Sequence, residues 1–414
     1  MNNFEAHIDL GDGQTRYAGT AYTYARQGRA GTTFQYDASY ISDSAAYALE
    51  PAMPLTSGAF AISQGLPRSF RDASPDRWGR RLIEKGLRRK WRKSSTPARA
   101  ITEADYLLGT SDLTRQGALR FRQVGARDFE AIGAEVPKML TLPKLLAASN
   151  KLCAEDSDSS DDFAAVKILL DAGTGSLGGA RPKSSVVDED EAGHTTLYLA
   201  KFPHPGDSWD VMRWEKIAFD LAARAGISIP ENRLLQIDNA SVLIARRFDR
   251  TNTGKRIGYL SAMTLLESEE GQMRDYLDIA DALSGVSATA SRDLAELWRR
   301  MLFSLAINNT DDHLRNHAVL RSGRAWQLSP MFDVNPDPFL QAQRATSIGG
   351  ALTFEEGWAA VFDTREWYGL SEGEAAAIKA RVMDALRQWS QIAKEHGAPK
   401  EELRLFAPVF ERAQ

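Results

Sequence analysis

From Ser291 onward, Leu294, Leu297, Trp298, Met301, Leu302 and Leu305 recur at three- and four-residue intervals, the spacing of a helix with one apolar face. The predicted helix ends at NNTDDHLRNH (308–317), a dense run of Asn, Asp, His and Arg. Asn and Asp bond their own backbone, so such a run is either a turn alone or a turn that carries a site. Trp214, Ile217, Ala218, Leu221 and Ala222 predict a second helix over 213–225, with Gly226 placed to follow its end. In 74–93, Ile83, Leu87 and Trp91 fall four apart beside Trp78 and Leu82, predicting a third helix that Ser74 can cap. Shorter patterns predict a helix at 163–170, strands at 20–25, 32–37 and 195–203, and hairpins at 234–248 and 317–330. The tail from Ser371 reads as helical.

Composition narrows the class. The chain is 43% apolar and 26% charged, the range of a soluble globular protein, and 414 residues suit two or three domains. A formal charge of −4 argues against a dedicated nucleic-acid binder. One cysteine, Cys153, excludes an intrachain disulfide framework and fits a reducing cytoplasm. The first residues lack the basic and apolar regions of a signal peptide, and no apolar run is long enough for a membrane span. The acidic run 155–162 (EDSDSSDD) reads as a linker after an N-terminal domain at 1–150. The polar face of helix 74–93 holds Arg77, Arg80, Arg81, Lys85, Arg88, Arg89, Lys90, Arg92 and Lys93: either a solvated face or a contact for an acidic partner or phosphates.

The chemistry lies beyond residue 170. Glycines 173, 175, 178 and 179 precede Lys183, and a backbone without Cβ atoms can crowd around an anion. The GxxxxGK[ST] loop is absent. Lys201 interrupts an apolar strand, where an ammonium is costly without a partner. Protein kinases place a lysine this way, on the strand after a Gly-rich loop, and pair it with a glutamate on the next helix; Glu215 is the candidate. Their catalytic loop sets a base Asp five positions before a metal-binding Asn. Counting back from Asn316 selects Asp311, not Asp312. Asp333, after a hairpin, stands where the second metal ligand belongs. No HRD precedes Asp311, Val334-Asn335 replaces Phe-Gly after Asp333, and no APE follows.

These departures, with SLGGARPKSSV (176–186), LAKFP (199–203), ARRFDR (245–250), NNTDDHLRNHAVL (308–320) and LSPMFDVNP (328–336), resemble the HipA-type serine/threonine kinases, toxins of bacterial toxin–antitoxin modules. FRDASPDRWGRRLIE (70–84) and TEADYLLGTSD (102–112) resemble the same family's N-terminal domain. The resemblance implies an α+β fold: a two-lobed kinase-like domain, with lobes at 151–265 and 266–414, behind a smaller N-terminal α/β domain. It implies ATP contacts at Gly178, Gly179, Ala180, Arg181, Pro182, Lys183, Lys201, Arg246, Arg247, Phe248, His313, Leu314, Arg315, Asn316, Phe332 and Asp333. Asp311 matches the catalytic aspartate, and Asn316 and Asp333 the magnesium ligands. Ser176 matches a serine that the family autophosphorylates. Arg246 replaces a glutamate familiar at the first hinge position. The implied partners are a HipB-type helix-turn-helix antitoxin, operator DNA through the antitoxin complex, and an aminoacyl-tRNA synthetase substrate, glutamyl-tRNA synthetase foremost.

Two other readings compete. One is a kinase-like corepressor of weak activity, acting mainly in an antitoxin–operator complex. The other takes His313 and His317 as metal ligands of a hydrolase, which needs a helix across 313–317.

Overall fold

The computed structural model describes residues 3–26, 29–63, 65–94, 97, 99–129, 135–154, 160–171, 181–191 and 193–413. The chain forms two compact units. One takes Met1–Gly206, Ile237–Ala240 and Ile244–Leu260; the other takes Asp207–Gln236, Ser241–Leu243 and Ser261–Gln414.

The first unit begins with an antiparallel sheet of β1 (Phe4–Asp9), β2 (Thr15–Arg26), β3 (Arg29–Tyr36), β4 (Ala59–Ile62) and β5 (Leu119–Gln123), ordered β4-β3-β2-β1-β5. The expected strands at 20–25 and 32–37 lie in β2 and β3. Alternate residues of one face, including Phe4, Phe34 and Phe121, pack with Phe70 in a buried apolar cluster. Helix α1 (Arg77–Lys93) buries Trp78, Leu82 and Ile83. Its N-cap is Asp76, whose side chain accepts from the Gly79 amide, and not Ser74, whose hydroxyl donates to the Phe70 carbonyl. Arg77, Arg88, Lys90, Arg92 and Lys93 face solvent, while Arg80 grips Glu103 through two hydrogen bonds of 2.7 and 2.6 Å. Helix α2 (Ser160–Asp171) packs on α1, with the Leu170 side chain close to Gly86. It takes in 160–162, which the sequence had suggested as linker; 155–159 lie outside the described residues.

A four-stranded sheet follows: β6 (Lys183–Glu189), β7 (Thr195–Lys201), β8 (Asn232–Ile237) and β9 (Ala240–Arg246), ordered β6-β7-β9-β8. The β8–β9 turn places Asp238 and Asn239 at φ 47° and 65°, the left-handed pair a two-residue hairpin requires.

In the second unit, α3 (Val211–Arg224) is capped by Asp210 and followed by Gly226 at φ 81°, as its pattern predicts. Strand β10 (Tyr259–Ser261) reaches this unit only at Ser261, and β11 (Arg274–Asp275) precedes α4 (Tyr276–Val286) and α5 (Ala290–Ala306). Strands β12 (Ala318–Ser322) and β13 (Ala325–Leu328) form the second expected hairpin, and β14 (Thr346–Ser347) runs parallel to β11. Helices fill the rest, beginning with Phe354–Asp363, capped by Thr353, and continuing with Glu372–Leu386, capped by Ser371. Helix α5 buries Leu297, Trp298, Met301, Leu302 and Leu305 and delivers the chain to the polar stretch.

Candidate active site

The turn after α5 has a defined form. Asn308 takes φ 56°, its amide donates to the Leu305 carbonyl and that of Asn309 to the Ser304 carbonyl, the paired bonds of a left-handed helix end. Asn fits because its short polar side chain tolerates this conformation. That side chain also donates to the carbonyls of Asp337 (2.7 Å) and Phe339 (3.2 Å) and accepts from Arg412 (2.6 Å). Asn308 therefore anchors the segment after Asp333 as well as ending the helix.

The two neighbouring aspartates separate at once. Asp311 is exposed, whereas Asp312 is 2% exposed. The Asp311 carbonyl accepts both the His313 amide and Nδ2 of Asn316, each at 3.0 Å. Asn316 closes a short 3₁₀ turn, Leu314–Asn316. With Nδ2 committed to the loop, Oδ1 is the face of the Asn316 amide that remains for a ligand.

Asp312 points inward. The Tyr276 hydroxyl donates to its Oδ2, His317 Nε2 lies 3.1 Å from Oδ1, and Arg344 Nη2 lies 3.7 Å from Oδ2. Burial alone would raise its pKa. The neighbouring His317 and Arg344 and the hydrogen bond from Tyr276 outweigh it and hold the carboxyl well below the usual range. Burial and the Asp312 charge push the Tyr276 phenol up. His317 is thus turned onto Asp312, and 313–317 is no α-helix, so the helix that the competing hydrolase reading needs is not formed. Among the described residues no group of three His, Cys, Asp or Glu side chains converges as a metal cluster.

Asp333 sits at φ 55°, a conformation rare outside glycine. Asn335 Nδ2 donates to its Oδ1 at 3.4 Å. Asn316 and Asp333 together offer an amide and a carboxylate oxygen, the hard donors that suit magnesium. His313 is half-buried, and its Nδ1 is buried without a hydrogen-bond partner among the described residues. Leu314 is buried in the core and Arg315 reaches Glu270 at 3.2 Å. Phe332 is half-buried, and Glu215 is 1% exposed within α3.

In the first unit the strand lysines are neighbours. Lys183 and Lys201 are direct partners in the β6–β7 register, so their side chains leave the same face. Both are buried, and Lys183 Nζ meets Asp76 Oδ2 at 2.8 Å. Pro182 accepts the Phe202 amide at 2.9 Å, and Arg181 is half-buried. Ser176, Gly178, Gly179 and Ala180 lie outside the described residues.

Of the hinge residues, Arg246 donates to the Asn252 side chain at 2.8 Å, and Phe248 is half-buried. The Arg247 guanidinium is buried in a two-point bond with Asp249, at 2.7 and 2.6 Å, and also donates to the Thr114 carbonyl. Its amide donates to the Leu197 carbonyl. Asp249 further accepts from the Gly117 amide and Arg250. Burial would raise the Asp249 pKa; Arg247 and Arg250 override it and hold the carboxyl well below its ordinary value. Fully buried Arg115 donates to the carbonyls of Ala73, Leu107 and Thr110, and its own carbonyl accepts from Arg250 and Arg256. ARRFDR therefore ties the end of β9 to the loop around 112–117. Sequence reasoning found this motif but assigned its arginine to the nucleotide alone; the cue was an Arg-Arg-x-Asp-Arg cluster too charged for a strand end without internal pairing.

The family model described as HipA-like C-terminal domain matches residues 175–394, and that of the HipA N-terminal domain matches 15–101. The fold is similar to that in a solved complex of HipA, HipB and operator DNA from the Shewanella oneidensis MR-1 toxin–antitoxin system. The TM-score is 0.65 at 15% identity, over 99% of this chain and 95% of that one. A Sinorhizobium fredii protein named putative kinase Y4dM is 26% identical over 254 residues, 55% of this chain; the match spans only 58% of that relative's length.

Proposed function

This chain belongs to the HipA family, and from that premise we propose that it is an ATP- and magnesium-dependent serine/threonine-protein kinase acting as the toxin of a toxin–antitoxin module. The observation that carries the reading is the bond from Asn316 Nδ2 to the Asp311 carbonyl. It joins an exposed carboxylate to a metal-ligand amide in one rigid turn, at the spacing phosphoryl transfer requires.

In this reading Asp311 orients the incoming serine or threonine hydroxyl and accepts its proton. Asn316 and Asp333 would hold magnesium, which when bound supplies positive charge to the triphosphate. Lys201 contributes its ammonium to the α/β-phosphates, and the Arg246–Phe248 segment offers main-chain groups to the adenine. Positioning and electrostatics carry the chemistry, since the transferred phosphoryl needs little covalent help. Autophosphorylation of Ser176 would add a dianion to the Gly-rich loop and switch the enzyme off.

The solved HipA relative is assembled with HipB and operator DNA. By analogy the partner here is a helix-turn-helix antitoxin, with DNA reached through that complex, and the substrate class is an aminoacyl-tRNA synthetase. Incubation with labelled ATP, Mg²⁺ and a panel of purified synthetases tests this. Label on one synthetase, glutamyl-tRNA synthetase foremost, is the expected result. Label on none, with no label on the chain itself, leaves the corepressor reading.

A further inference from the structure

We infer that Asp312 is the positioning residue of the loop that carries Asp311 and Asn316, holding both in place through Tyr276, Arg344 and His317. This inference rests on the kinase reading, in which Asp312 has no chemical role of its own.

One peptide unit joins the two aspartates. Its carbonyl is that of Asp311, the oxygen that accepts both Asn316 Nδ2 and the His313 amide. A peptide unit is planar, so fixing the Asp312 end fixes the direction of that carbonyl. The proposed base and the proposed metal ligand thus turn together about one plane, and Asp312 is its inner anchor.

That anchor is held from several directions. Tyr276, the first residue of α4, donates its hydroxyl to Oδ2, and Arg344 approaches the same oxygen at 3.7 Å. His317 stands 3.1 Å from Oδ1, its ring edge-on to that of Tyr276 at 5.2 Å. The Thr346 hydroxyl donates to the Asp312 carbonyl at 2.7 Å. The flanks are pinned too: the Ala345 amide donates to the Thr310 carbonyl at 2.9 Å, and the Ala262 amide to the His317 carbonyl at 2.7 Å. Tyr276, Asp312, His317 and Arg344 are each buried; the Tyr276 hydroxyl holds Asp312 by a hydrogen bond, while His317 and Arg344 face it as close ion-pair partners, so losing the tyrosine bond leaves a desolvated polar group. The loop is clamped at both ends and in its middle, and within it only Asp311 is fully exposed.

A structural ion pair would affect folding alone. A positioning pair affects the chemical step in protein that is already folded and has already bound nucleotide. Three variants of the full chain separate these: Tyr276→Phe, Asp312→Asn and, as a reference, Asp311→Asn. Each is checked for folding by thermal melting and assayed for phosphotransfer at varied ATP. Tyr276→Phe removes one hydroxyl from an otherwise intact ring. The expected result is a fall in kcat of roughly 10-fold for Tyr276→Phe and about 100-fold for Asp312→Asn, with KM for ATP within about twofold of the parent. If Asp312→Asn fails to fold, Tyr276→Phe decides alone. An unchanged kcat in folded Tyr276→Phe, or a loss confined to KM, overturns the inference. Absence of phosphotransfer by the folded parent protein would instead overturn the kinase reading on which it rests.

Discussion

Lys183 and Lys201 stand directly opposite each other across β6 and β7, and a carboxylate from 107 residues earlier, Asp76, meets Lys183 at 2.8 Å. Like charges facing across a strand pair are destabilising unless an anion joins them. Asp76 is that anion for Lys183, and its second oxygen caps α1, so one side chain serves a helix end and a strand lysine. Breaking a buried ion pair by removing one partner costs about 3–5 kcal/mol, and losing the cap adds about 1 kcal/mol. Asp76→Ala is therefore expected to destabilise more than Asp76→Asn, which keeps a capping oxygen. The double variant Asp76→Ala, Lys183→Met should recover most of the ion-pair loss. Urea denaturation of the three proteins checks the order; equal stability of all three removes this role from Asp76.

In the proposed reaction Lys201, which faces Lys183 across β6 and β7, contributes its ammonium to the ATP phosphates. Lys201→Met should weaken ATP binding by about 10- to 100-fold, the worth of one charge-assisted contact, while the fold persists. Titration calorimetry with the non-hydrolysed nucleotide measures this directly. Undiminished affinity would take Lys201 out of the site.

Asp249 and Asp312 are both held below the usual carboxylate range. Each stays ionised in the folded protein where the unfolded chain, near pH 3.9, takes up a proton. Their contribution to stability is present above that value and is lost as pH falls below it. The protein should lose stability steeply on the acid side, and Asp249→Asn should flatten that slope while lowering stability at neutral pH. Melting temperature across pH 3 to 7 reads both effects; an unaltered acid slope contradicts the pairing of Asp249 with Arg247 and Arg250.

Much of the architecture was legible in the pattern of the chain. Period-3.6 stripes gave α3 and α5, and the Asp238-Asn239 and Ser322-Gly323 turns gave both hairpins, because these features are local. In the site, spacing to Asn316 chose Asp311, and exposure separates the same two residues: Asp311 outside, Asp312 within. What spacing did not reveal was long-range pairing. Asp76 stands at a helix start, where local pattern explains one of its oxygens, yet the other meets a lysine far along the chain. Arg247 read as part of a nucleotide hinge, yet its guanidinium is spent on Asp249 and the Thr114 carbonyl. Asp312 had no assigned chemistry because Tyr276, Arg344 and Thr346 lie more than 30 positions from it and share no periodic pattern with it. Buried charges advertise that they need partners, but only the fold says which.

In the proposed reaction Asp311 is the base of a phosphoryl transfer. General-base assistance is worth about 10²- to 10⁴-fold. The direct measurement compares purified parent protein and Asp311→Asn for transfer of the labelled γ-phosphate to protein hydroxyls, with ATP binding followed in parallel. The account predicts transfer by the parent, loss of at least about 100-fold in the variant, and ATP affinity within a few-fold of the parent. Equal transfer by both proteins would contradict it.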